Sequence, residues 1–294
     1  MAIKNGVYAA SISILNKDLS LDIESTITHS EKLISEGCNG VVIFGSTGQA
    51  QLISASEKKK LIERLKDNKL KEDFLIGTGE NSLKQNIDIM KHSINNGINR
   101  FLIMPPAYYK YGDEEAYSFF SKIIQQVPES EIILYNFEKL SGYKFSLQIV
   151  EKLVKDFPKQ ILGVKDSSYN LYEKLKIPNF LIFPGSETKL LKGLELGCSG
   201  IISAICNVTA PLASKVYKDY MNKKKQTFND KLCSIRQVFD QYNLISSLHS
   251  FMSVEDKKYS RVLPPLSLLS ETKTKELITK LKKLDFFPEK NIAA

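Results

Sequence analysis

The chain has 294 residues, 43% of them hydrophobic and 25% charged, which excludes a disordered or collagen-like polypeptide and fits one large domain or two ordinary ones. No apolar run approaches the roughly 18 residues of a membrane span, so no membrane partner is expected. The net charge of +8 comes from 41 basic and 33 acidic residues, but the lysines are spread along predicted helices. The runs Lys58–Lys60 and Lys223–Lys225 carry no interleaved aromatics, read as solvated helix faces, and give no reason to expect a nucleic-acid partner.

In chain order, the first apolar run is GVYAASISI from Gly6. A single Lys precedes it, serines break it, and no small-residue cleavage site follows, so it reads as a strand and not a signal peptide. IESTITHSEKLISEG comes next, with Ile23, Ile27, Leu33 and Ile34 at helical spacing and Gly37 where a C-cap is expected. GVVIFGS from Gly40 is the second strand. SEKKKLIERLKDN follows as a helix, with Ser56 at a plausible N-cap and Leu61, Ile62 and Leu65 on one face. The later strands are FLIGTG from Phe74, RFLIMPP from Arg100, EIILYN from Glu131, ILGVKDSS from Ile161, FLIFPGS from Phe180 and SGIISAI from Ser199. Amphipathic stretches such as SLKQNIDIMKHSINNG and DEEAYSFFSKIIQQV separate most of them.

Strands alternating with helices predict a parallel sheet with crossover helices. Eight of them predict a closed (β/α)8 TIM barrel over residues 1–206. An open doubly wound sheet is the alternative, but the GxGxxG turn that usually accompanies it is absent. Residues 207–294 show no clear strand and no Gly/Ser linker before them. They read as barrel completion and a C-terminal helical extension, with helices in VTAPLASKVYKDYMNKK, QTFNDKLCSIRQVFDQYN and ETKTKELITKLKKL and a loop at VLPPLS.

In such a barrel, chemistry sits at the C-terminal strand ends. The turn Gly45-Ser46-Thr47-Gly48 after the second strand offers hydroxyls and backbone N–H groups to a carboxylate or phosphate oxygen; an ordinary strand-to-loop turn is the competing reading. Tyr135 ends the fifth strand and can relay a proton or merely cap the core. Lys165 ends the sixth strand. With Leu162 and Val164 packed outward, Gly163 and Lys165 point into the barrel. A buried lysine needs a partner or a task. The partner would be Asp166; the task would be amine attack on a ketone to form a Schiff base. An ordinary lysine, with a pKa of about 10.4, has less than about one free amine in a thousand at pH 7, and desolvation favours the neutral form that this chemistry needs.

Together these pieces resemble the dihydrodipicolinate synthase/N-acetylneuraminate lyase family along nearly the whole chain. The matching segments come in family order: GVYAA, GSTG at Gly45–Gly48, SEKKKLIE, GTGENS at Gly77–Ser82, MPPAYYK at Met104–Lys110, YN at Tyr135–Asn136, GVKDSS at Gly163–Ser168, PGSE at Pro184–Glu187, GIISAICN at Gly200–Asn207 and RVLPPLS from Arg261. The resemblance implies a barrel with a helical extension, assembled as a homotetramer, a dimer of dimers. It implies that Lys165 forms the Schiff base with pyruvate or a longer 2-oxo acid, that Tyr135 transfers protons, and that Ser46 and Thr47 bind the carboxylate, Thr47 also relaying protons. Gly48 belongs to the same turn. Tyr108 resembles the Tyr that reaches into a neighbouring site, and Gly185, Glu187 and Ser203 line the substrate region.

The departures bear on substrate. Gln49 stands where the family often has Glu, and Phe137-Glu138 replaces a segment that usually contains Pro. Five residues after Tyr135, a dihydrodipicolinate synthase carries an Arg that receives the aldehyde's carboxylate; here Leu140 begins Leu-Ser-Gly, similar to sialic acid lyases. Leu cannot make the charge-assisted contact of an Arg, worth roughly 1.5–3 kcal/mol, although Lys139 or Lys110 could supply a charge. Glu187 likewise suits sugar hydroxyls better than a second carboxylate, but its follower is Thr188 where sialic acid lyases have Glu.

The expectation is therefore a Schiff-base aldolase or lyase joining or splitting pyruvate and an aldehyde, on a hydroxylated 2-oxo sugar acid of the sialic acid or 2-keto-3-deoxy type. Dihydrodipicolinate synthesis from aspartate semialdehyde is the rival within the family, and a non-catalytic small-acid-binding regulator is the rival of another class. The iminium is its own electron sink, so no cofactor is called for. Cys38, Cys198, Cys206 and Cys233 are scattered away from the three histidines, which suggests reduced thiols in a cytoplasmic protein and no metal site.

Overall fold

The computed structural model of the chain describes residues 3–287. Its strands are β1 (Gly6–Ala10), β2 (Gly40–Ile43), β3 (Phe74–Gly77), β4 (Arg100–Ile103), β5 (Glu131–Asn136), β6 (Ile161–Asp166), β7 (Leu181–Pro184) and β8 (Gly200–Ser203). The helices are α1 (Ile23–Ser35), α2 (Ala55–Leu65), α3 (Leu83–Asn95), α4 (Asp113–Gln126), α5 (Glu138–Ser141), α6 (Leu147–Asp156), α7 (Leu190–Glu195), α8 (Cys206–Met221), α9 (Asn229–Phe239), α10 (Leu244–Met252) and α11 (Glu271–Lys282). All strand pairs are parallel, in the order β7-β6-β5-β4-β3-β2-β1-β8. The β7–β8 seam closes without a regular ladder. Ser199 N–H donates to Ile182 O at 2.8 Å, and the Ile182 N–H donates to Ser199 Oγ at 3.2 Å. The result is a nearly closed (β/α)8 TIM barrel.

Strand residues alternate between two apolar environments, as the two-residue pleat requires. Val7, Val41, Ile76, Phe101, Leu134 and Ile201 pack against the helices. Tyr8, Val42, Leu75, Leu102, Ile133, Phe183 and Ile202 fill the barrel. On β6 the alternation slips. Ile132 of β5 pairs with Ile161, but Ile133 pairs with Gly163. Leu162 is the extra residue, and it packs with the inner cluster instead of outward as the sequence suggests. The bulge resets the phase, so Val164 faces the helices and Lys165 the interior.

The helix starts follow local chemistry. Helix α2 is capped by Ser54, two residues before the expected Ser56. Ser54 Oγ accepts from Glu57 N–H, and the Glu57 carboxylate accepts from Ser54 N–H. That reciprocal pair is available only to the Ser of an S-x-x-E sequence. Lys58 departs from the solvated face expected of its lysine run. It is fully buried, and its Nζ donates to Thr78 O at 2.7 Å and Glu80 Oε1 at 2.6 Å. Lys223–Lys225 are exposed.

Beyond β8, α8 completes the barrel, its Cys206, Ala210, Ala213 and Val216 lying in the outer core. Helices α9, α10 and α11 form a second apolar cluster, which includes Ile235, Phe239, Leu248, Leu277 and Leu281. This cluster also takes in Ile12 and Ile14, just after β1, and Ala204 and Ile205, just after β8. The extension is thereby fixed against the strand ends at the mouth of the barrel. Among the described residues no helix is long and apolar enough to cross a membrane.

Candidate active site

Lys165 and Tyr135 are partners in the β5–β6 register. Both point inward, and Tyr135 belongs to the inner apolar cluster with Phe183 and Tyr8. Lys165 is 3% exposed. Its Nζ lies 4.2 Å from the centre of the Tyr135 ring. Among the described residues it forms no ion pair or hydrogen bond. The alternative pairing with Asp166 does not form, because consecutive strand residues face opposite ways. Asp166 instead accepts from the backbone N–H groups of Tyr169, Leu171 and Tyr172 and from Asn136 Nδ2. Burial raises its pKa, and those four donors resist the rise. The Asn136–Asp166 contact ties the two strand ends together and shapes the loop after Lys165.

The GSTG turn stands beside Tyr135. Ser46 Oγ and Tyr135 Oη are 2.9 Å apart. Among the described residues the backbone N–H groups of Ser46 and Thr47 donate to nothing, whereas Gln49 N–H and Ala50 N–H close the turn onto Ser46 O and Gly45 O. Gly48 is packed on β1's extension: an added Cβ would lie 2.9 Å from Ser11 O, and Gly48 O accepts from Ser13 Oγ at 2.7 Å. Gln49, at φ 55°, accepts the Leu263 N–H on its side-chain oxygen at 2.7 Å. It thus anchors the loop before α11 to the turn.

A cavity of about 510 Å³ opens above Lys165, lined by Ser46, Thr47, Tyr135, Ser167, Tyr169, Gly185, Arg236 and Asp240 among others. Gly185 is required by close approach, since a Cβ there would sit 2.2 Å from Ser167 Oγ. A second cavity of about 430 Å³ continues past Ser46 and Tyr135 and is walled by Leu102, Met104, Leu140 and Ile245. The sequence-predicted residues Lys165, Tyr135, Ser46, Thr47, Gly185 and Leu140 are thus brought together.

Four of the expected residues, Gly48, Tyr108, Glu187 and Ser203, line neither cavity. Tyr108 is 89% exposed at φ 88° and touches Tyr109 edge-on, away from both cavities of its own chain. Glu187 and Ser203 are fully buried and line neither cavity. Glu187 Oε2 accepts from Ser203 Oγ at 2.7 Å and from Arg236 Nη1 at 3.1 Å, while its Oε1 accepts from Cys206 Sγ at 3.4 Å. Burial works against the charge of Arg236, but the carboxylates of Glu187 and Asp240 outweigh it and raise the guanidinium's pKa. Arg236 and Asp240 escaped sequence reasoning. They sit on and just after a helix of the extension, more than seventy residues beyond Lys165, with no motif around them.

The comparisons with known proteins agree with this fold. The chain is 30% identical over 259 residues to a 4-hydroxy-tetrahydrodipicolinate synthase of Hydrogenobaculum, a match that covers 84% of this chain and 88% of that one. Its fold is similar to that of a prophage protein of the dihydrodipicolinic acid synthase family from E. coli, solved with pyruvate, at TM-score 0.87 and 23% identity, covering 97% of this chain and all of that one. It is also similar to a variant of 2-keto-3-deoxygluconate aldolase from Sulfolobus solfataricus, at TM-score 0.83 and 20% identity, covering 95% and 96% of the two chains. The model of the Dihydrodipicolinate synthetase family matches residues 4–284, and the chain belongs to that family of lyases and aldolases.

Proposed function

We propose that this lyase works through a Schiff base on Lys165, making or breaking a carbon–carbon bond between pyruvate and an aldehyde. The carrying observation is the juxtaposition at the β5–β6 strand ends: a buried, unpaired amine 4.2 Å from the Tyr135 ring, beside a turn with two undonated N–H groups and two hydroxyls. That turn suits the carboxylate of a 2-oxo acid. With the carboxylate on Ser46 and Thr47, the neighbouring ketone carbon is presented to Nζ. The neutral amine adds to the carbonyl, and loss of water leaves an iminium. Tyr135 gives its proton to the hydroxyl that leaves as water; in the cleavage direction the resulting phenolate takes the proton of the substrate's C4 hydroxyl, the C3–C4 bond breaks, and its electron pair flows into the iminium to give an enamine. Protonation at C3 and hydrolysis release pyruvate and free the lysine. Ser46, hydrogen-bonded to Tyr135 at 2.9 Å, provides a path for that proton, and Thr47 lies within the same cavity.

The substrate we favour is a hydroxylated 2-oxo acid. Leu140 presents an apolar wall where a carboxylate-binding Arg would serve dihydrodipicolinate synthesis. That synthesis is the second reading, supported by the name of the Hydrogenobaculum relative and by Lys139 at the rim of the cavity. Exposed Tyr108 and Tyr109 support assembly with further copies of the chain, as a dimer of dimers, which light scattering would test.

The deciding experiment is borohydride reduction in the presence of pyruvate, read by peptide mass spectrometry. A pyruvate-sized adduct on Lys165, absent in a folded Lys165→Ala variant that has also lost turnover, is expected. Normal activity in that variant would remove the mechanism. Turnover of aspartate semialdehyde in preference to hydroxylated aldehydes would favour the second reading.

A further inference from the structure

Family resemblance puts Glu187 and Ser203 in the lining of the substrate region, yet neither reaches the cavity. The group they hold does. Arg236 is 8% exposed and lines the cavity that contains Lys165, together with Asp240. Its guanidinium is fixed from two sides. Nε donates to Asp240 Oδ1 at 2.8 Å, and Nη1 donates to Glu187 Oε2 at 3.1 Å and Ser203 Oγ at 3.2 Å. Nη2 has no partner among the described residues and is not among their sealed, unsatisfied polar atoms. Asp240 Oδ2 is likewise unbonded, on a side chain 47% exposed. The cavity wall therefore presents a free donor pair beside a free acceptor.

We propose that Arg236 and Asp240 recognise the hydroxyl groups of the aldehyde half of the substrate, and that Glu187 and Ser203 are positioning residues that hold the guanidinium in place. Two adjacent hydroxyls can each accept a hydrogen bond and donate one, which matches the unbonded Nη2 of Arg236 and the unbonded Oδ2 of Asp240, its hydrogen-bonded neighbour. The charge balance selects the same class. One guanidinium between two carboxylates sums to −1, so a second carboxylate on the substrate gains no net attraction there, whereas a neutral diol is not repelled. The fixed geometry also lowers the ordering cost of binding, because the guanidinium is already held on two edges. A vicinal diol reached from the Lys165 iminium is the chemistry of a polyhydroxylated 2-oxo acid. This inference rests on the Schiff-base reading above.

The test pairs three aldehydes with pyruvate in the condensation direction: glyceraldehyde, which carries a diol; propionaldehyde, of equal length without one; and aspartate semialdehyde, which carries a carboxylate and an amine. The wild-type chain is expected to favour glyceraldehyde over propionaldehyde in kcat/KM. Asp240→Ala and Arg236→Gln are expected to lower that ratio roughly ten- to a hundredfold, mainly through KM. Glu187→Gln is expected to lower it less. Arg236→Gln leaves Glu187 buried without its cation and can destabilise the fold; half-exposed Asp240 avoids that problem, so the Asp240 variant decides. A merely structural role would lower both aldehydes alike and leave the ratio unchanged. An unchanged ratio, or a wild-type preference for aspartate semialdehyde, overturns the inference. If the wild-type protein forms the borohydride-trapped pyruvate adduct but turns over none of the aldehydes, the inference also falls while the Schiff base stands. Absence of the adduct removes the underlying reading itself.

Discussion

At the scale of single residues, several buried polar groups are held by specific partners. His29 illustrates the consequence. Its Nε2 lies 2.8 Å from Asn207 Oδ1, and its Nδ1 lies 3.3 Å from the Tyr259 hydroxyl. The first nitrogen donates and the second accepts, so the imidazole is held neutral. Burial, opposed by the Asn207 contact, lowers its pKa from 6.5 to about 4. The unfolded chain therefore takes up the proton first as pH falls, and stability drops between pH 6.5 and 4. The loss expected from this group is roughly 2–3 kcal/mol by pH 4.5. Urea unfolding at pH 7 and pH 4.5 should show a smaller difference in His29→Gln than in the wild-type chain. An equal acid sensitivity in the two would assign the loss to other groups.

At the scale of elements, strand pairing places the candidate residues and local cap chemistry fixes where the helices start. Parallel pairing of β5 with β6 puts Tyr135 opposite Lys165, and the Leu162 bulge sets which face they share. The alternating pattern predicted the inward Lys165 correctly but placed Leu162 outside, because a bulge is a tertiary accommodation with no reliable mark in one sequence. Helix α2 shows how local chemistry can be read and misread. Ser54 and Ser56 both look like caps, and only the three-residue spacing from Ser54 to Glu57 permits the reciprocal box. Ser54→Ala should cost about 1 kcal/mol of stability, measured as a shift in urea midpoint, with Ser56→Ala costing less. A larger loss in Ser56→Ala would reassign the cap. The burial of Lys58 was illegible for a different reason. Its partners, Thr78 and Glu80, belong to the loop after the next strand, and a charge run gives no indication of which lysine a neighbouring element will cover.

At the scale of the whole molecule, the extension is part of the site. Helices α9–α11 pack on the residues that follow β1 and β8, which puts Arg236 and Asp240 over the mouth of the barrel. Helix α10, not singled out within the helical tail expected from sequence, completes that cluster with Leu248, Phe251 and Met252 and brings Leu244 to the cavity wall. Phe239, fully buried and 5.6 Å from the Phe251 ring, sits near the centre of the cluster. Phe239→Ala should destabilise the protein by about 3–5 kcal/mol, read in calorimetry. It should also raise KM for the aldehyde, because the cavity created lets α9 shift with its two polar side chains. A destabilised variant with native KM would show that the extension supports the barrel without shaping its site.

The sequence by itself determined the barrel, the family and the cluster of Lys165, Tyr135, Ser46 and Thr47, since alternating periodicity and strand-end motifs are local signals. Tertiary structure alone decided which polar groups face the cavity. Glu187 and Ser203 are drawn into the core by the guanidinium of Arg236, a residue on a distant helix. The physical reason is that a buried charge must be paired, and the identity of its partner depends on which segments the fold brings together.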